Sequence, residues 1–208
     1  MTEFKRARSE QTKQIRLTAI LDSVESMISK HNFEACNLNH IAAEVNITKT
    51  ALYRYFRNKE LIFLELYKRE LEALIPNLTN SFSPPDPEKI TQSFVDRPVF
   101  CKLNSILSTV LEQPLTEEEC LIFKRHIAAT LTPVVIAIVE HFQIKQEEAI
   151  DWLMHLFAAL VGCWHIGNPS PVMRQALESP DINFFQQDFA LALQRHITIL
   201  LTELSEHS

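Results

Sequence analysis

Along most of the chain apolar residues recur at intervals of three and four, and strict alternation of the strand kind is nowhere sustained. Leu17, Ile20, Leu21, Val24, Met27 and Ile28 fall on one side of a first helix. Leu38, Ile41, Ala42 and Val45 mark a second, short one, and Leu52 and Phe56, four apart, form the buried side of a third. From Lys59 to about Leu78 the positions Leu61, Phe63, Leu64, Leu66, Tyr67, Leu71, Leu74 and Ile75 cover too wide an arc for a one-sided surface helix. That helix is expected to pack on both sides and to link a front domain to a body. Next comes the turn-rich run S-F-S-P-P-D-P-E, Ser81 to Glu88, whose prolines end the helix and set an extended path. Ile90 to Val95 and Val99 to Leu111 are periodic again, divided at Asp96 to Pro98. A helix from Thr116-E-E-E to about Phe142 should kink or split at Pro133. Lys145 to Cys163 and Asp181 to Leu204 complete the series, with the breaker-rich G-C-W-H-I-G-N-P-S-P between them. The pattern predicts an all-α fold. Only two glycines occur, and nothing reads as a β-hairpin.

The most informative stretch runs from Asn37 to Lys59. Asn37 can cap the second helix and Thr48 the third, each offering a side-chain oxygen to free N–H groups one turn ahead. Asn46 stands where the chain must reverse, and Asn accepts a positive φ more readily than most residues. With Leu52 and Phe56 inward, Lys49, Thr50, Tyr53 and Arg54 point outward, as suits a rod over Thr48 to Phe56 laid in a DNA major groove. Asn58 can cap the following helix. Lys59 in its first turn is poor for the helix dipole but well placed for a phosphate. Phe33 and Ala35 are expected to plug the small core beneath the reading helices. Lys5, Arg6 and Arg8, in a stretch without apolar periodicity, read as a mobile arm.

The run I-A-A-E-V-N-I-T-K-T-A-L-Y-R-Y-F-R-N-K, Ile41 to Lys59, resembles the DNA-binding signature of the TetR family of bacterial regulators. Asn46 and Thr50 stand where that family usually has glycine; Thr50 stiffens the helix and adds a hydroxyl at the groove. Looser likenesses follow in order: F-K at Phe123-Lys124, W-x-x-x-N-P-x-P from Trp164 to Pro171, and A-L-x-x-P from Ala176 to Pro180. The resemblance implies a three-helix helix-turn-helix domain over 1–58. A larger helical ligand-binding and dimerisation domain over 59–208 is implied with it. It places Lys49, Thr50, Tyr53 and Arg54 at the groove, with Ala51 against a thymine methyl. Tyr53 and Tyr55 meet phosphates, Asn39 reaches DNA from the preceding helix, Lys59 meets the backbone, and Thr48 caps the reading helix. The last two helices are expected to form a homodimer through Leu153, Phe157, Val161, Phe189, Leu193, Ile197 and Leu200. A small hydrophobic effector is expected among Phe94, Phe100, Leu103, Leu107, Phe123, Ile127 and Trp164, with His126 as a polar contact.

Charge changes the picture once it is divided. The formal net charge is −6. Residues 1–70 carry 12 Lys+Arg against 9 Asp+Glu, a balance of +3, and the remainder 8 against 17, or −9. A basic front on an acidic body fits a reader of double-stranded DNA. Cys36, Cys101, Cys120 and Cys163 are scattered and read as small hydrophobes of a reducing cytoplasm. Met1 to Arg16 is polar and basic, so no signal peptide is expected, and apolar stretches are expected to break off short of a span, so no membrane partner is expected. His155, Cys163 and His165 lack the spacing of a metal site. The absence of a P-loop, G-x-S-x-G or G-x-G-x-x-G gives no support to an enzyme or a cofactor. The sequence therefore points to a DNA-binding repressor on a palindromic operator, released by an apolar ligand. The alternative is a DNA-bound architectural protein that recruits a partner protein.

Overall fold

Helix formers without interruption build the first element. The computed structural model describes residues 2–30, 33 and 36–206, and of residues 2–10 the backbone only. Helix α1 runs from Thr2 to Lys30, so the stretch expected to be a mobile arm is helical instead. It contains neither glycine nor proline, and its Lys, Arg, Glu and Gln lose little in a helix. The side chains of Lys5, Arg6 and Arg8, like Ala35, lie outside the described residues. Then follow α2 (Leu38–Glu44), α3 (Lys49–Tyr53), α4 (Lys59–Asn80), α5 (Pro87–Val95) and α6 (Pro98–Asn104). A π turn covers Leu107–Leu111. Helices α7 (Glu117–Phe142), α8 (Gln146–Gly167), α9 (Pro171–Ala176) and α10 (Phe189–Glu206) complete the chain, with a 3-10 turn at Asn183–Phe185. No strand occurs among the described residues.

Several ends differ from the sequence reading. Helix α8 passes through Gly162 and stops at Gly167, and α10 starts at Phe189 rather than at Asp181. Phe185, assigned to the last helix, lies in the 3-10 turn. Helix α7 continues unbroken through Pro133 and ends with Gln143 at φ 55°. Its start, read from the sequence as a helix beginning at Thr116, is closed by a capping box. Glu119 N–H donates to the Thr116 hydroxyl, and Thr116 N–H donates to the Glu119 carboxylate.

The chain divides into two compact units, one ending at Arg69 but including Ser108–Pro114, the other comprising Glu70–Leu107 and Leu115–Ser208. The division therefore falls inside α4 rather than at residue 58. Ile62, Phe63, Leu66 and Tyr67 of α4 are buried along with Ile20, Val24 and Ile28 of α1 and Ile41 and Leu52 of the short helices. Arg69 then ties α4 to α1 by donating to Asp22 Oδ1 at 2.6 Å and to Glu25 Oε2 at 2.7 Å. Pairs this exposed contribute about 0–1 kcal/mol each, so they fix register more than stability.

In the second unit α10 packs on α8 and α5, and α7 packs on α8. Phe94 and Phe100 are fully buried, and both meet Phe157 of α8 with ring centroids 6.4 and 6.3 Å away. Phe82, in the proline-rich linker, is buried edge-on to Trp152 at 5.5 Å. Cys101 and Cys163 are buried free thiols; burial pushes Cys101 up to about 12 and raises Cys163 as well. Both are held as the thiol, which is neither nucleophile nor good metal ligand.

One expectation about apolar stretches fails. Glu117–Phe142 and Gln146–Gly167 each hold an 18-residue window of mean hydropathy 1.6 and 1.4 with at most two charges, yet only 28% and 33% of those windows is buried. Helices this apolar with so little cover carry a second apolar side, turned outward.

The α8–α10 junction is tight. A Cβ built on Gly167 would lie 2.7 Å from Phe189 Cβ and 2.8 Å from its Cα. Gly167→Ala is expected to lower stability by about 1–3 kcal/mol, because backbone rather than a flexible tip must move. The urea midpoint at unchanged m-value measures it, and an unshifted midpoint would mean the junction opens freely.

Candidate nucleic-acid interface

The reading head is built by local hydrogen bonds. Asn37 Oδ1 accepts from the N–H groups of Asn39 and His40, both at 3.0 Å, and so starts α2. Val45 N–H returns to Ile41 O, and Asn46 takes φ 52°, the left-handed conformation expected of it. Ile47 N–H reaches back to Ala42 O at 2.9 Å, closing the turn. Thr48 then caps α3 by accepting from Ala51 N–H at 3.1 Å. Leu52 and Phe56 are buried, as the four-residue spacing requires.

Helix α3 spans only Lys49–Tyr53, shorter than the rod expected over Thr48 to Phe56. Past Tyr53 the chain tightens: Arg54 N–H donates to Ala51 O at 3.3 Å and Tyr55 N–H to Leu52 O at 2.9 Å. Three-residue closures of this kind are usual at a helix end. Arg54 keeps a right-handed conformation, φ −72° and ψ −17°, and stays in line with the helix.

Thr48, Lys49, Thr50, Tyr53 and Arg54 are all exposed. Lys49 Nζ lies 5.9 Å from the centroid of the Tyr53 ring, which steadies two of the outward side chains against each other. Asn39 is exposed on α2, whereas Ala51 and Tyr55 are half-buried. Lys59 is half-buried too. Its ammonium sits 4.7 Å from the Phe33 ring centroid, at the start of a helix that Asn58 caps through Leu61 N–H at 3.0 Å. One residue of this region escaped the sequence reading. Arg57 Nη2 donates to the Pro114 carbonyl at 2.8 Å, across 57 residues of sequence. Its position between the reading helix and the Asn58 cap was the available signal; its partner was not legible.

In the body the expected groupings are redistributed. Phe94, Phe100 and Leu103, assigned to a ligand pocket, are fully buried, and Phe94 and Phe100 belong to the closed aromatic cluster with Phe157. Phe123 is buried as well, while Leu107, Ile127 and Trp164 are half-buried, the last edge-on to Phe189 at 5.2 Å. His126 Nε2 lies 3.2 Å from Glu72 Oε1 but without hydrogen-bond alignment, so this is a near contact and not a bond. Clefts among the described residues lie elsewhere. One of about 260 Å³ is lined by Trp152, His155, Leu200 and Glu203 among others. A wider groove of about 710 Å³ runs past Phe82, Pro84, Pro133 and Ile136. None of the eight expected pocket residues lines either.

The expected dimer residues divide similarly. Leu153, Leu193 and Ile197 are already covered inside the subunit, and Phe157 belongs to the aromatic cluster. Val161, Phe189 and Leu200 are half-buried. The outward apolar residues of the same helices are Ile150, Met154 and Ile166 on α8 and Leu191 and Ile199 on α10, each more than 40% exposed.

Residues 20–66 match the family described as bacterial regulatory proteins, tetR family, and residues 66–207 match that described as tetracyclin repressor-like, C-terminal domain. Among solved structures, the fatty acid degradation regulator FadR from Bacillus halodurans is 13% identical, aligned over 89% of this chain and 94% of its own with a TM-score of 0.46. A likeness that loose identifies neither ligand nor operator. No curated protein sequence matches the chain. With both halves of the chain matched and the capped helix-turn-helix in place, the protein belongs to the TetR family and is a DNA-binding transcriptional regulator.

Proposed function

We propose that the protein is a homodimeric repressor that reads a palindromic operator and is released by a small apolar ligand bound in its second unit. The observation that carries the DNA half of this reading is the outward set Lys49, Thr50, Tyr53 and Arg54, held by the burial of Leu52 and Phe56. Arg54 and Lys49 suit guanine, whose O6 and N7 accept a paired donor. Thr48 and Ala51 lie along the same short helix, Tyr55 and Asn39 flank it, and Lys59 serves the phosphate backbone.

Support for a second copy comes from α8. Ile150, Met154, Ala158, Gly162 and Ile166, four apart, form one exposed apolar stripe. Among the described residues, nothing beyond its own stretch of helix lies within 4 Å of a Cβ placed on Gly162. A glycine inside a helix costs about 1 kcal/mol relative to alanine, and no neighbour among the described residues calls for it. A symmetry-related helix crossing close above Gly162 supplies the reason and covers Ile150, Met154 and Ile166. A single short reading helix spans only a half-site, so two-fold symmetry also meets the demand of the DNA, with half-sites about one helical turn apart.

Support for a ligand is the aromatic and aliphatic character of the second unit. An effector releases the operator only if it binds the DNA-incompetent state more tightly. A second reading, a DNA-bound platform for a partner protein, is favoured by Val172, Met173, Phe184 and Phe185, all more than half exposed between α8 and α10. A repressor occupies few palindromes near promoters; a platform occupies many dispersed sites.

Three outcomes are expected. Arg54→Ala should cost about 1–3 kcal/mol at one base position and relax preference there, read by binding to operator variants; equal weakening on operator and random duplex would defeat the assignment. Lys59→Ala should weaken all duplexes alike and reduce the slope of log affinity against log salt by about one unit. Met154→Asp should leave helix content intact, the side chain being half exposed, yet give a monomer in sedimentation velocity. A persisting dimer would place the interface on another face.

A further inference from the structure

The first unit takes in a second piece of chain. Ser108–Pro114 belongs to it, although α6 before and α7 after belong to the other unit. This strap begins inside the π turn Leu107–Leu111, an uncommon geometry that tends to mark functional positions. Leu111 is fully buried. Gln113 Nε2 donates to Ser108 O at 2.8 Å and closes the strap on itself. The buried Tyr67 hydroxyl has its pKa raised, first by burial and then by the nearby Glu112 carboxylate of the strap. The last strap residue, Pro114, gives its carbonyl to Arg57 Nη2 at 2.8 Å. Arg57 itself is three residues beyond Arg54 and directly before the Asn58 cap of α4.

Such a bond couples two features that local structure leaves independent. The turn between α3 and α4 decides how the reading helix leaves its core. Arg57, in that turn, holds the strap through the Pro114 carbonyl, and the strap is covalently continuous with α6 and α7. A guanidinium donating to a carbonyl is a charge-assisted bond, stronger than a neutral one and directional.

We infer that Arg57 is a positioning residue for DNA reading, which anchors the α3–α4 turn to the 108–114 strap and thereby links the reading helix to α6 and α7. The inference rests on the assignment of α3 as the DNA-reading helix. Its role needs no base or phosphate contact. Because coupling between sites is reciprocal, operator binding steadies the strap to the same degree that a steady strap favours the operator.

The test compares full-length wild type, Arg57→Ala and Arg57→Lys by amide hydrogen exchange and by duplex binding across a salt series, using an oligonucleotide selected from a random pool by the wild type. In Arg57→Ala without DNA, strap amides should exchange about tenfold faster, and operator affinity should fall about tenfold with affinity for random duplex and the salt slope unchanged. Arg57→Lys keeps one donor and should restore most of both. In the wild type, operator should slow exchange across the strap; in Arg57→Ala it should not. Strap exchange unchanged by Arg57→Ala overturns the inference. So does a salt slope reduced by about one unit with equal loss on operator and random duplex, which would make Arg57 a phosphate ligand. A wild type that retains no duplex overturns the DNA reading itself and this inference with it, and the strap comparison made without DNA tells the two failures apart.

Discussion

Burial of Leu52 and Phe56 is the constraint on which the reading head depends. Each side chain gains roughly 1.5–3 kcal/mol by leaving water. Rotating α3 by half a turn would expose both and bring Lys49 or Arg54 toward an apolar interior, at a desolvation cost of several kcal/mol. Caps at Asn37, Thr48 and Asn58 contribute about 1 kcal/mol apiece, too little to set orientation but enough to place helix ends. Orientation therefore comes from the core and boundaries from the caps. The exposed Thr48–Arg54 surface is the joint result.

The body uses the same forces twice over. Helices α7 and α8 are apolar on more than one side. On the inner side of α8, Phe157 meets the fully buried Phe94 of α5 and Phe100 of α6. The outer side of α8 carries Ile150, Met154 and Ile166 around the open Gly162. Interior packing at crystal-like density leaves little freedom for the inner face. The outer face is the adaptable one, and association there is where the remaining apolar surface can be removed from water.

Between these regions α4 is shared by both units, and its composition explains why. Its apolar arc is wide enough to bury Ile62, Phe63 and Leu66 in one and Leu71, Leu74 and Leu78 in the other. Arg69, at the division, is occupied by Asp22 and Glu25 of α1, so the helix is pinned where it leaves the reading head. The strap at 108–114 supplies a second covalent route between the same two sets of helices.

The all-helical class, the caps, the positive φ at Asn46 and the family were determined by sequence alone, because each depends on bonds or spacings spanning a few residues. The helix start at Thr116 was legible for the same reason. Tertiary structure alone decided which apolar side of α8 and α10 faces inward. Both sides read alike, and only packing assigns Leu153, Leu193 and Ile197 to the core and Ile150, Met154 and Ile199 to the surface. It also decided that Gly162 lies within a helix and Gly167 ends it, since the contact that requires a glycine comes from Phe189. The Arg57–Pro114 bond was beyond reach of any local pattern: its two ends meet only after the intervening helices have packed.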